Sequence, residues 1–430
     1  MTTTLNGGTL TVGEAITRLM PQGLPFRFTA YDGSSAGPED APVRLRLRNE
    51  RGLSYLLTAP GDLGMARAYV TGDLEVEGAH PGDPHDALVH LMSNLRFTMP
   101  PPAELVRIVR GLGLNHLKPP PPPAEEHLPR WRRLLEGVRH SKERDAMAIR
   151  HHYDVSNRFY ELVLGPSMTY TCAVFPHEDA TLEEAQAEKY DLVCRKLDLK
   201  PGQRLLDIGS GWGGMVRHAA REYGVTALGV TLSRNQAGWA AEAIAREGLT
   251  GRAEVRFGDY RDVTEAGFDA VSSIGLTEHI GVRNYPAYFT FIRSRLRPGG
   301  RVLNHCITRR ANYLRPETGA FIDRYVFPDG ELTGSGRIII EMQDTGLEVR
   351  HAENLREHYA LTLRDWCRNL RDSWDACVAE VGTGTARVWG LYMAGSRIAF
   401  ERNDLQLHQV LASRTDDGRS GFPLRPTWLS

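Results

Sequence analysis

Between Arg204 and Gly214 the chain reads Arg-Leu-Leu-Asp-Ile-Gly-Ser-Gly-Trp-Gly-Gly. Leu205, Leu206 and Ile208 form a short apolar run that stops in glycine, and Met215 to Tyr223 follows with helical spacing and closes at Gly224. A strand, a tight turn and a helix in that order aim backbone N–H groups at a ligand over the helix N-terminus. Gly209, Gly211 and Gly214 satisfy G-x-G-x-x-G, a pattern that dinucleotide enzymes and methyltransferases share.

Two neighbouring features bear on the choice. Asp207 lies on the strand just before the first glycine, where a carboxylate can meet an ammonium or a ribose hydroxyl. A nicotinamide site would place its acid about 20 residues further on, at the end of the second strand. That strand, Thr226 to Thr231, runs into Leu232 and Ser233 with no acid. S-adenosylmethionine is therefore the favoured ligand. A nicotinamide oxidoreductase and a non-catalytic packing turn remain the alternatives.

Apolar runs at 204–209, 226–231, 253–258, 268–274 and 300–307 alternate with helical patterns at 213–223, 234–247 and 284–296. Gly248 and Pro298-Gly-Gly supply the stops. Repeated units of this length predict an α/β fold with a doubly wound parallel sheet and a ligand at the carboxyl ends of its strands. Those ends hold Gly209 to Gly213, then Thr231 with Gln236, then Asp259 and Tyr260, then Glu278-His279, then His305. Asp259 suits an adenine amino group and Tyr260 the ring face. Glu278 suits a base, a cofactor contact or an anchor for an anion. By spacing alone, Cys172 reads as a buried structural thiol.

Residues 1–117 read as a smaller α+β module. Val12 to Leu19, Met65 to Val70 and Pro84 to Leu91 are expected as helices, Phe26 to Tyr31 and Val43 to Arg48 as strands, and Leu53 to Leu57 as a partner for the latter. Five prolines, Pro119 to Pro123, mark a semi-rigid spacer. The basic segment after it contains Arg130, Arg132, Arg133, Arg139, Lys142 and Arg144 among Trp131, Leu134, Leu135 and Val138. It could form an amphipathic helix on an anionic membrane surface, or simply a solvated face. Residues 118–149 therefore read as linker and basic helix, 150–411 as the ligand-binding domain, and 412–430 as a tail.

A formal net charge of −1 provides no global field for nucleic acid. The five cysteines show no C-x-x-C pairing, so neither a metal ribbon nor a disulfide framework is expected. With no secretory signal and no bilayer-spanning apolar run, a cytoplasmic location is expected.

His152-Tyr153-Asp154, Asn157, Met168 to Phe175, Leu206 to Gly214, Gly229 to Ser233 with Gln236, Gly258 to Asp262, Glu278 to Gly281 with Asn284-Tyr285, and Tyr325 to Pro328 occur in that order. Together they resemble the cyclopropane fatty acid synthase family from residue 150 to about 405. The resemblance implies a Rossmann-like class I methyltransferase sheet and a reaction on cis double bonds of acyl chains in membrane phospholipids. It also implies a lipid-facing N-terminal domain, attachment to the inner face of the membrane, and a homodimer. S-adenosylmethionine would then contact Tyr153, Tyr170, Thr171, Asp207, Gly209, Gly211, Thr231, Gln236, Asp259 and Tyr260. A bicarbonate ion would be held as general base by Cys172, Glu278, His305, the backbone of Ile307, and Tyr359.

Two positions depart from the family pattern. Thr277 stands where many members have a bulky residue, and Val174 where cyclopropane enzymes often have tyrosine. The segment Arg27 to Gly33, the polyproline linker and the tail Arg419 to Pro426 look closer to the bacterial branch that makes 10-methylene chains, precursors of 10-methyl branches that a separate reductase completes. Methylene formation is the favoured expectation, with cyclopropane formation on the same substrate as the alternative. A small-molecule or protein methyltransferase is the reading from another class.

Overall fold

The computed structural model describes residues 10–95, 100–127, 156–416, 418–426 and 428. It divides into two compact units. One is made of Met1–His127, Ala320–Val326 and Leu370–Ile398, the other of Leu128–Gly319, Phe327–Asn369 and Ala399–Ser430. The basic segment from Arg130 to Arg144, and Tyr153, lie outside the described residues.

In the first unit, strands β1 (Arg27–Ala30), β2 (Ser35–Ala36), β3 (Arg44–Leu47) and β4 (Leu74–Glu77) form a sheet of order β2-β1-β3-β4. Alternation on β3 buries Leu45 and Leu47 and leaves Arg44 and Arg46 exposed. Leu53 to Leu57 is not the partner of β3. It lies in the helix Glu50–Thr58, and β4 pairs with β3 instead, Leu45 opposite Val76 and Leu47 opposite Leu74. The deciding group is Asn49, whose side-chain oxygen accepts the Gly52 N–H at 3.0 Å and caps the helix before the apolar run begins. Later chain segments complete this unit. Glu126, with no exposed side-chain surface, binds the Arg67 guanidinium through two bonds of 2.6 and 2.7 Å and also pairs with Arg324. The Tyr55 hydroxyl donates to the Pro121 carbonyl at 2.6 Å, and Arg387 to the Tyr69 carbonyl at 3.0 Å.

The second unit is built on seven strands: β5 (Arg204–Ile208), β6 (Thr226–Thr231), β7 (Ala253–Phe257), β8 (Phe268–Ile274), β9 (Leu296–Arg309), β10 (Glu348–Asn354) and β11 (Leu405–Ser413), in the order β10-β11-β9-β8-β5-β6-β7. The five strands from β9 across to β7 are parallel, while β11 and β10 add antiparallel to the β9 edge. Leu205, Leu206 and Ile208 have no exposed surface, as expected of a central strand covered on both faces. Tyr288, Phe289 and Ile292 of the helix Tyr285–Arg295 pack with Val271, Val302 and Val410 in the main core. The parallel part follows the expected α/β pattern closely. β10 and β11, which close the sheet, carry no comparable apolar run in β10, and its burial is only partial.

Candidate methyl-donor pocket and anion cage

After β5 the chain turns through Gly209, Gly211 and Gly213, with φ of 80°, 54° and 76°. The Gly209 and Ser210 N–H groups both donate to the Val230 carbonyl at 3.0 Å, pinning the turn to β6, and the helix Gly214–Glu222 follows. Positive φ restricts these positions to glycine at low cost. A Cβ on Gly211 would meet nothing within 4 Å, so this part of the turn opens onto free space.

Two cavities flank the turn, and both are lined by Gly209, Gly211, Gln236 and Gly275. The first, about 70 Å³, adds Thr231, Gly258, Tyr260, Leu276 and His279. The second, about 80 Å³, adds Tyr170, Thr171, Asp207 and Trp212. The Thr231 hydroxyl donates to Gln236 Oε1 at 2.7 Å, which orients the glutamine amide at the shared wall. An open glycine turn with a buried acid and aromatic walls fits an amino-acid-bearing nucleoside such as S-adenosylmethionine. Of the described residues expected to contact it, all but Asp259 line one of these cavities. The Asp259 carboxylate is clasped by its neighbour Arg261, at 2.7 and 2.6 Å, and caps the turn Tyr260–Asp262.

Asp207 is buried and accepts the Ser272 hydroxyl at 2.6 Å, and burial pushes its pKa up to about 6. Near it lies a residue with no counterpart among the expected site residues. Lys189, wholly buried, donates to the Thr171 hydroxyl at 2.9 Å, and its own burial lowers its pKa to about 7. The signal was present in the sequence. On the helix Leu182–Leu197, Lys189 and Lys196 occupy the inward stripe with Leu182, Ala185, Leu192 and Val193, where amphipathic spacing expects apolar residues.

Of the second group of expected residues, Glu278 follows the carboxyl end of β8 and His305 and Ile307 lie on β9, while Cys172 and Tyr359 lie on other segments. Glu278 sits in the four-residue helix Thr277–Ile280. Its Oε1 accepts the Ile307 N–H at 2.7 Å, while Oε2 is buried with no partner among the described residues. Desolvation raises its pKa to about 7. The Ile307 N–H is thus engaged by Glu278 and positions that carboxyl. His305, two residues earlier on β9, has no exposed surface, and its Nε2 likewise lacks a partner among the described residues. Burial, reinforced by the charges of Lys189 and Lys196, holds its pKa well below the usual imidazole value.

Cys172 is buried, its thiol directed to the Ala173 carbonyl at 3.1 Å, and burial pushes its pKa up, so it stays protonated. The strip it belongs to is stitched to the helix Arg356–Asp372. The Ala173 N–H donates to Thr362 at 3.0 Å and the Phe175 N–H to His358 at 3.0 Å. That helix carries Tyr359, packed on Phe400 and edge-on to Trp366, and Trp366 in turn lies 5.4 Å from Tyr170. Tyr160 and Trp212 extend the aromatic wall. Of the two departing residues, Thr277 is buried, donates to Asn304 at 2.7 Å and lines neither cavity. The Val174 N–H is bound to the Ala185 carbonyl at 3.0 Å.

A model of the family described as mycolic acid cyclopropane synthetase matches residues 140–410. The chain belongs to that family. A probable fatty acid methyltransferase of Mycobacterium tuberculosis is 62% identical over 405 residues, spanning 94% of this chain and 95% of that protein. The cyclopropane-fatty-acyl-phospholipid synthase of Escherichia coli K12 is 35% identical over 274 residues, 64% of this chain and 69% of its own. Among solved structures, the cyclopropane synthase MmaA2 from Mycobacterium tuberculosis is 34% identical with a TM-score of 0.58, covering 63% of this chain and 97% of that one. Mycolic acid cyclopropane synthase CmaA1, solved with SAH and CTAB, is 31% identical with a TM-score of 0.59, covering 62% and 97%. The protein is therefore an S-adenosylmethionine-dependent methyltransferase of the fatty acid methyltransferase and cyclopropane synthase family, with its class I fold. That membership removes the nicotinamide reading of the glycine turn.

Proposed function

We propose that the protein methylates the cis double bond of oleoyl-like chains in membrane phospholipids and yields a 10-methylene chain. The observation that carries this reading is two buried, unpartnered atoms, Glu278 Oε2 and His305 Nε2, on residues linked through β9, where the Ile307 N–H holds Glu278 two positions from His305. Burying two polar atoms without partners is costly unless something is bound there. A small oxyanion such as bicarbonate suits an acceptor and a donor in this position.

When bound, S-adenosylmethionine supplies an electrophilic methyl group and bicarbonate a base small enough to reach a carbon-bound proton. The rest falls to this chain. Its glycine turn with Thr231 and Gln236 aligns the donor, and alignment matters because an alkene is a weak nucleophile. Tyr170 and Trp212, which line the second cavity with Tyr160 and Trp366 packed against them, exclude water, which would otherwise trap the substrate cation, and aromatic faces favour positive charge. A hydride shift before proton loss leaves an exocyclic methylene, and direct proton loss from the added methyl closes a cyclopropane ring. The methylene outcome is supported by the N-terminal segment and tail noted above and by the 62% identical relative, which bears the name fatty acid methyltransferase. Cyclopropane formation stands second, supported by the synthases at 31–35% identity.

No helix among the described residues is long and apolar enough to cross a membrane, so access to the acyl chain would be peripheral, aided by the basic segment from Arg130 to Arg144. The smaller unit would present the lipid, a homodimer would be the working assembly, and a separate reductase would complete the methyl branch. The test is incubation with oleoyl phospholipid and methyl-labelled cofactor, followed by mass spectrometry of the released fatty acids. One added CH2 with an exocyclic alkene supports the proposal, a saturated ring selects the second reading, and unlabelled lipid refutes both.

A further inference from the structure

His305 is gripped on one side only. Gln409 lies directly opposite it in the β9–β11 ladder, with Nε2 at 3.2 Å from His305 Nδ1. The other end of the same amide, Oε1, lies 2.6 Å from Lys196 Nζ. Lys196 has no exposed side-chain surface and also pairs with Glu353 on β10.

These contacts leave little freedom. An ammonium group offers three donors and no acceptor, so the amide atom facing Lys196 is the oxygen. The NH2 end therefore turns to the imidazole, and because it can only donate, Nδ1 must accept. Burial of the ring and the charges of Lys196 and of protonated Lys189 disfavour a second proton on it. The single hydrogen of the neutral imidazole then belongs on Nε2, the atom without a partner among the described residues.

We propose that Lys196 and Gln409 are positioning residues that fix the tautomer of His305, so that it presents an Nε2–H donor to the anion held with Glu278. The inference rests on the anion-cage reading above. With the other tautomer, Nε2 would offer a lone pair beside the Glu278 carboxylate, and the two acceptors together would repel an oxyanion. The relay consequently selects for a small anion that can accept from the ring and donate to the carboxylate, as a hydrogen-bearing oxyacid monoanion does. Lys196 lies on the helix Leu182–Leu197, Gln409 on β11 and His305 on β9, so three distant segments must meet before the donor exists.

The test is long-range proton–nitrogen correlation NMR on full-length protein with 15N-labelled histidine, His305 being assigned by its absence in His305→Gln. The proposal expects wild-type His305 protonated on Nε2, with that resonance moving on bicarbonate titration. Gln409→Leu and Lys196→Met should lose the tautomer preference and raise the half-saturating bicarbonate concentration roughly tenfold or more, the size of one lost hydrogen bond to a charge, with cofactor affinity unchanged. Hydrogen on Nδ1 in the wild type overturns the relay, and that measurement needs no relay variant to fold, only the assigning His305→Gln. A wild-type tautomer and unchanged bicarbonate dependence in both variants also overturns it. If Nε2 is protonated but insensitive to bicarbonate, the anion reading fails and takes the purpose of the relay with it. If Nδ1 is protonated while turnover still depends on bicarbonate, the relay alone is wrong.

Discussion

The candidate methyl-donor pocket and the proposed anion cage are made of different materials. The pocket is backbone: glycines at positive φ, N–H groups tied to Val230, and a turn contiguous in the chain. The proposed cage is side chain: Cys172, Glu278, His305 and Tyr359 come from four separate segments, and burial shifts the protonation of the first three. A backbone site tolerates changes in ionisation but not in φ. A side-chain cage should show the reverse.

The sharpest break of that contrast is Glu278→Gln. Turnover is expected to fall by roughly a hundredfold to ten-thousandfold, the range of a lost acid–base group, while calorimetric affinity for S-adenosylhomocysteine stays unchanged. A parallel loss of affinity would merge the two regions. The converse variant is Gly211→Ala, whose Cβ meets no protein atom but adds a methyl and backbone strain at the wall of the cofactor pocket. A left-handed non-glycine residue costs about 1–2 kcal/mol of folding stability, and the methyl in the pocket predicts cofactor affinity weaker by roughly tenfold with an unaltered pH profile.

Stability against pH comes next. The Glu278 pKa rises from 4.5 to about 7 on folding, so its contribution is full below pH 4.5 and is lost as pH rises through 7. The Lys189 pKa falls from 10.5 to about 7, so its contribution is full above pH 10.5 and is lost as pH falls through 7. Ligand-free protein should therefore show a dip in melting temperature near neutrality. Glu278→Gln should flatten the acid side of the dip and Lys189→Met the alkaline side, and a melting curve unaffected by either change would show that these groups are not desolvated. The smallest effect is expected from Cys172→Ala, because a protonated thiol donating to a carbonyl contributes mainly packing. A few-fold loss of bicarbonate-dependent rate is expected, and a loss as large as that of Glu278→Gln would make the thiol a principal anion ligand.

The same contrast governs what could be read in advance. The strand–turn–helix at Arg204 to Gly214 is legible because every determinant lies within a dozen neighbouring residues. Glu278 and His305 are visible as polar residues ending apolar runs. Cys172 and Tyr359 are named as site residues only by the family resemblance, because no spacing shows the bonds that join the 172–175 strip to the helix Arg356–Asp372. Leu53 to Leu57 misled because a five-residue apolar run fits either period, and Asn49 decides it. Gln409 left no trace, since one glutamine on an edge-side strand gains meaning only from what stands opposite it.

The enclosed Glu126 has a consequence for how the chain is made. Its two guanidinium partners, Arg67 and Arg324, are 257 positions apart, with Glu126 between them in the chain. A ribosome that has delivered only the first 127 residues has supplied the acid and one base, and the second emerges after most of the sheet has been translated. The unit begun first is thus not finished by its own first 127 residues, and a nascent chain must carry it incomplete until Ala320–Val326 and Leu370–Ile398 arrive.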